Sequence, residues 1–299
     1  MYRIYACSLV SCYANSSLRA CARGIRRHEP ENRTGSLTSV RIARFVHTGG
    51  IAWGVVEGQP GAAFDALTLA AIKDHPMGPI EFTGERFAIG DVRLLAPILP
   101  SKVVAVGRNY VEHAKELGND VPERPLIFLK PSTSVIGTHD VIRLPADSEQ
   151  VEHEAELALV IGKVAKDVPR ESALDVVFGY TCSNDVTARD QQRADVQFTR
   201  AKGHDSFCPI GPWIETTFDP SGVRVRALVN NEVRQDGNTR EMVFDVATLV
   251  SFMSHVMTLV PGDVILTGTP AGVGRIVDGD TVTIAIDGIG ELTNPVKSR

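Results

Sequence analysis

Along residues 40–57 apolar and polar side chains alternate, and the alternation breaks once, at Thr48-Gly49-Gly50. Successive side chains on a strand face opposite ways, so the pattern predicts two short strands around a turn. Residues 58–100 lose this rhythm and carry Pro60, Pro76, Pro79, Pro97 and Pro100, which predicts a loop-rich stretch. Short strands are predicted at 103–106 and 126–129, with a short helix between them that ends at Gly118. The run 157–161 is apolar on both faces, as expected of an internal strand. In 223–229 the alternation is strict but for Leu228. Val246, Leu249, Val250, Met253, Val256 and Met257 fall at helical spacing behind Asp245, a candidate cap, and Pro261-Gly262-Asp263 ends the helix. A closing meander is predicted from strands at 264–267, 281–286 and 289–293, with a turn at Asp287-Gly288.

Short strands dominate, and the regular strand–helix alternation of a doubly wound sheet is absent. The pattern predicts an α+β, mostly-β core of mixed strands with few helices. The organisation expected is a leader at 1–39, a small N-terminal β subdomain at 40–100 and a main domain at 101–299.

Composition narrows the function. The 299 residues are 43% hydrophobic and 22% charged, ordinary for a globular chain. No apolar run reaches the roughly 18 residues of a spanning helix, so no membrane partner is expected and the location expected is cytoplasmic. The net charge of −5 argues against nucleic acid as a partner. That average hides a division. Residues 1–39 hold six Arg and two acids, leaving 25 basic against 34 acidic residues in 40–299, a net of −9. Three of the five cysteines also fall in this leader, as Cys7, Cys12 and Cys21. The leader reads as a disordered tail or as sequence upstream of the true start. A targeting segment, or a lipidation box at Leu9-Val10-Ser11-Cys12, are the other readings.

Four segments carry candidate chemistry. Glu152, Glu154 and Glu156 alternate along a strand-like run, so they are expected on one face, with neighbours about 6.6–6.8 Å apart along the strand. Burying them unpaired is costly, and a hard divalent cation with oxygen ligands relieves it; an exposed edge of solvated acids is the alternative. Asp185 ends a second strand-like run ahead of a helix-like segment at 186–192, as a ligand or as a helix cap. Glu154, Glu156 and Asp185 with waters suit Mg²⁺ or Mn²⁺, and no Cys/His cluster supports zinc. His113 and Glu116, three apart on a helix, form either a general base with its orienting carboxylate or a surface ion pair. The loop 267–274 lacks the lysine of a phosphate loop and does not fit GxGxxG; it is either a carboxylate site, through its N–H groups and the Thr269 hydroxyl, or a plain tight turn.

Six stretches in order, GRNYVEHAKE (107–116), FLKPSTSVIG (128–137), VEHEAELALVIG (151–162), GYTCSNDVTARDQQ (179–192), RAKGHDSFCPIGP (200–212) and LVPGDVILTGTPAGVG (259–274), resemble the fumarylacetoacetate hydrolase family. The resemblance spans roughly 101–296. It implies a mixed β-sandwich roll, a homodimer and a Mg²⁺ or Mn²⁺ site held by Glu154, Glu156 and Asp185. It implies catalytic roles for His113, Glu116 and Lys202, and substrate contacts from Arg189, Gln192 and Thr269. In the fumarylacetoacetate enzymes themselves a further Asp precedes the catalytic His. Arg108-Asn109 stands in that region here, which points to the branch acting on acylpyruvates, oxaloacetate and ring-cleavage products of aromatic catabolism. The activity expected is metal-dependent C–C hydrolysis of a small 2-oxo acid through an enolate held by the ion. Isomerisation of a 2-hydroxyhepta-2,4-diene-1,7-dioate, or decarboxylation, needs the same site, and a non-catalytic binding protein on the same fold is the remote alternative.

Overall fold

The computed structural model describes residues 40–59 and 62–299; the leader expected at 1–39 lies outside the described residues, as does Pro60. A long sheet runs, strand beside strand, through Phe82–Ala88, Thr68–Ile72, Gly50–Glu57, Arg41–His47, Cys208–Glu215, Val177–Asn184, Ala155–Ile161, Val264–Leu266, Val103–Gly107 and Leu126–Lys130. A five-stranded sheet orders Glu232–Asn238, Arg224–Val229, Thr281–Ile286, Gly290–Ser298 and Ile142–Leu144. A three-stranded ribbon joins Thr187–Ala188, Val151–His153 and Gly274–Arg275. This is the mostly-β core of mixed strands that the pattern predicts, in the roll that the resemblance implies.

The core explains the apolar run. Every residue of Ala155–Ile161 is buried. Leu157, Leu159 and Ile161 pack toward the five-stranded sheet, with Val225, Ala227, Ile284 and Ile286, and toward Leu249, Val250 and Met253 of the helix Val246–Val256. Ala158 and Val160 face the other way, among Val103, Ala105, Ile210 and Val264. A strand covered on both faces has no reason to alternate. The helix starts where the cap predicts, with the Asp245 side chain accepting from the Thr248 N–H at 2.8 Å. Leu228, the exception in 223–229, is only half-buried while Val225, Ala227 and Val229 are buried.

The stretch 58–100 is loop-rich as expected, and between its loops it holds the strands Thr68–Ile72, Phe82–Ala88 and Arg93–Leu95. Its prolines punctuate these strands, and Phe82–Ala88 is exposed along nearly its whole length, so no apolar alternation marks it. The N-terminal strands also continue the long sheet, through Arg41 paired with Glu215 and Ile42 with Ile214. In the acidic run, the expected single strand is interrupted at Glu154. Val151–His153 belongs to the ribbon and Ala155–Ile161 to the long sheet. The helix expected from residue 186 starts later, at Arg189, because Thr187–Ala188 pairs with Val151 and Glu152.

Candidate metal centre and its cavity

The joint at Glu154 is held from below. Its backbone N–H donates to Asn184 Oδ1 at 2.9 Å, and its carbonyl accepts from the Asp185 N–H at 2.9 Å. That bond lines up the ends of two neighbouring strands. Glu154, Glu156 and Asp185 consequently converge, with one oxygen from each lying within 4.8 Å of the others, all buried. Asp185 caps no helix: a strand follows it, and its carbonyl accepts from Thr187 Oγ1 at 2.8 Å.

Burying acids demands counter-charge, and the fold supplies it. Lys202, on the short helix Thr199–Gly203, donates to Glu154 Oε2 at 2.8 Å and to Asp185 Oδ2 at 2.6 Å. Lys130, at the end of Leu126–Lys130, donates to Asp185 Oδ1 at 2.5 Å, and its side chain is fully buried. Arg189 donates to Glu152 at 2.8 Å, to Glu154 at 2.5 Å and to Gln192 Oε1 at 2.5 Å. Glu156 has no such cation on its carboxylate; it accepts from the Gly268 N–H at 2.6 Å.

These surroundings drive two neighbouring acids apart. Burial alone would raise Glu154, but the charges of Lys202 and Arg189 outweigh it and hold it well below the usual carboxylate range. Burial, then the negative charges of Asp185 and Glu154, push Glu156 well above that range. Burial opposes the charge of Lys202, yet Asp185 and Glu154 overcome it and raise the ammonium.

In the His–Glu pair the histidine is buried and the glutamate reaches the surface. His113 is 4% exposed, and its Nδ1 lies 3.3 Å from Glu116 Oε2 within the helix Val111–Glu116. The Gly272 N–H donates to Glu116 at 3.1 Å, so the pair is tied to the loop that follows Val264–Leu266. In the same loop the Thr269 hydroxyl donates to the Ala155 carbonyl at 2.8 Å and accepts from Gln235 Nε2 at 2.8 Å. Its proton is therefore committed to the protein.

One cavity of ≈ 390 Å³ brings the set together: His113, Glu116, Glu154, Glu156, Arg189, Gln192, Lys202 and Thr269 all line it. Asp185 lies behind them, 1% exposed. Phe128 and Phe198 form an apolar wall, meeting edge to face at 5.6 Å, and Lys202 Nζ stands 5.2 Å from the Phe128 ring centroid. Sequence reasoning gave no role to Lys130, Asn109 or Gln235. The signal for Lys130 was a lone cation closing an apolar strand. Asn109 is fully buried and donates to the carbonyls of Thr267 and Phe244, at 2.7 and 3.0 Å, fixing the root of the Gly-rich loop.

The donor set is all oxygen, three carboxylates from two adjoining strand ends, with no thiolate and no imidazole among them. Such donors suit hard divalent ions such as Mg²⁺ or Mn²⁺ rather than zinc or copper.

Residues 102–297 match the family model described as fumarylacetoacetate (FAA) hydrolase, C-terminal, and residues 40–97 match one described as Rv2993c-like, N-terminal. Protein Rv2993c of Mycobacterium tuberculosis is 53% identical over 86% of this chain and 98% of its own. A crystal structure of a 2-hydroxyhepta-2,4-diene-1,7-dioate isomerase from Mycobacterium marinum superposes with a TM-score of 0.82 at 51% identity, covering 87% of this chain and 99% of that one. A 5-carboxymethyl-2-hydroxymuconate delta-isomerase from Mycobacterium smegmatis gives 0.81 at 53%, over 87% and 100%. Less similar are a mitochondrial oxaloacetate decarboxylase of Dictyostelium discoideum, 45% identical over 63% of this chain and 89% of its own, and a maleylpyruvate hydrolase from Sphingobium sp. SYK-6 in complex with manganese (II) ion and pyruvate, TM-score 0.69 at 35% over 86% and 99%. Among the described residues no helix is long and apolar enough to cross a membrane.

Proposed function

Since the chain belongs to the fumarylacetoacetate hydrolase family, we propose that it is a divalent-metal-dependent enzyme that turns over small 2-oxo acids by stabilising enolate charge. The observation that carries this reading is the convergence on one cavity of two buried carboxylates backed by a third, a buried lysine and a carboxylate-oriented histidine. Glu154, Glu156 and Asp185 hold the ion, which supplies Lewis acidity toward a 2-oxo carboxylate.

The chain's own groups do the rest. Lys202, kept cationic by Asp185 and Glu154, and the Gln192 amide face the cavity where negative charge develops. His113 presents Nδ1 to Glu116, which leaves Nε2 as the ring atom that takes or returns a proton. The Phe128–Phe198 wall keeps the reacting carbon in an apolar setting. Arg189 spends its guanidinium on Glu152, Glu154 and Gln192, so its part is to hold the acids and aim the Gln192 side chain.

Proton relocation or decarboxylation needs this set and nothing more, and the names of relatives at 45–53% identity support it. The His113–Glu116 pair favours a second reading, C–C hydrolysis of an acylpyruvate, because the same imidazole can deprotonate water. The test is a Mg²⁺- or Mn²⁺-dependent screen of acylpyruvates, oxaloacetate and dienedioates that follows products. One isomer or released CO₂ supports the first reading, and two carbon fragments support the second. No turnover of any of them with either metal contradicts both.

A further inference from the structure

Gln235 lines no part of the cavity and touches none of the three acids, yet it is fully buried and its amide is saturated. Oε1 accepts from the Ala155 N–H at 2.9 Å and lies 3.1 Å from His153 Nδ1. Nε2 donates to Thr269 Oγ1 at 2.8 Å and to the Pro270 carbonyl at 2.7 Å. A backbone N–H can only donate and a proline carbonyl can only accept, so these two partners fix which way the amide points. His153 must then carry its proton on Nδ1, and the Thr269 hydroxyl must give its proton to Ala155.

The bonds join two segments that each serve the acidic centre. Ala155 sits between Glu154 and Glu156. Thr269 follows Gly268, whose N–H holds the Glu156 carboxylate. Gln235 itself belongs to Glu232–Asn238, in the other sheet, and that strand presses closely on the loop. A Cβ at Gly272, where φ is +98°, would stand 2.3 Å from the Arg234 carbonyl oxygen. We propose that Gln235 is a positioning residue, a brace from the second sheet that fixes the Glu154–Glu156 segment against the loop carrying Gly268 and Thr269. The proposal rests on the reading of that centre as a metal site.

Outer partners that orient metal ligands typically cost about 10- to 100-fold in metal affinity or activity when removed. The test is Mn²⁺ titration of the full chain by calorimetry, with kcat and KM measured beside it. Gln235→Met keeps the volume and loses all four bonds. Gln235→Glu keeps the shape and the two accepted bonds; protonated in the interior, it retains one of the two donations to the loop, and thermal melting identifies the folded variants. Val225→Ala, a core truncation elsewhere in the same sheet, controls for plain destabilisation. Each folded Gln235 variant is expected to bind Mn²⁺ at least about tenfold more weakly than the parent, with kcat falling more than KM rises, while Val225→Ala keeps the parent affinity. Affinity within threefold of the parent in either folded Gln235 variant overturns the brace. So does an equal loss in Val225→Ala. Failure of the parent to bind Mn²⁺ overturns the metal reading instead.

Discussion

The strand Ala155–Ile161 lives in two environments. Its start, with Glu154 just before it and Glu156 within it, lies among Lys202, Lys130, Arg189, Asp185 and the Gly268 N–H. Its far half, Leu157 to Ile161, is packed in carbon on both faces. Both halves are equally buried, yet their energetics differ. The apolar half is stabilised by the area it removes from water. The charged half gains little net stability, since desolvation consumes most of the attraction, but it becomes costly when one partner goes missing. The acidic centre is thus built directly onto a strand that the core covers on both faces.

Substitutions break or sharpen this contrast. The largest effect falls on function. His113→Ala should lower kcat by about 10²- to 10⁴-fold with little change in stability, as steady-state kinetics and thermal melting would show, because it removes a proton-transfer group and leaves Glu116 half-exposed with the Gly272 N–H. An unchanged kcat would remove His113 from the chemistry. Next comes the charged half. Lys130→Met should cost up to about 3–5 kcal/mol in urea unfolding, since Asp185 Oδ1 loses its cation in the interior and Lys202 alone is left to hold the carboxylate. Leu159→Ala, at the apolar end, should cost a similar or smaller amount, about 2–5 kcal/mol, but leave Mn²⁺ affinity intact. If Lys130→Met were neutral, the acids would not depend on buried counter-charge. The smallest effect is at the helix flanking the core: Asp245→Ala should cost only about 1 kcal/mol through the lost cap to Thr248.

The pH dependence follows from Glu156. Its carboxyl is held protonated above the usual range, and an ion must displace that proton. Binding of Mn²⁺ should therefore release a proton and weaken as pH falls through the raised value. Calorimetry in buffers of different ionisation enthalpy measures the release. No dependence on buffer would place the ion elsewhere.

Most of the strands, and most of the residues that converge on the cavity, were legible in the sequence, for physical reasons that also mark where legibility stopped. Buried strands such as Val103–Gly107 and the capped helix Val246–Val256 announce themselves through what they exclude from water. Phe82–Ala88 does not, because an almost wholly exposed strand needs no apolar face. Glu154, Glu156 and Asp185 were readable because acids do not sit in apolar runs without cause. Their partners were harder. Lys130 and Gln235 come from distant segments, and only chain folding brings them to the joint. The interruption at Glu154 was also hidden, since the sequence alternates straight through a place where the backbone changes sheets. Thr269 shows the reverse error of scale: the residue lies where expected, but its hydroxyl proton is already given to Ala155.

The central claim is that this buried trio of carboxylates grips one divalent ion. Glu156→Gln tests it most directly, because the amide keeps the shape and can still accept from Gly268 while breaking no ion pair. Titrated with Mn²⁺, the parent chain should bind one ion and the variant should lose more than the roughly 100-fold that outer partners account for, with melting temperature unchanged or raised in metal-free buffer. Equal Mn²⁺ affinity in the two proteins would contradict the account.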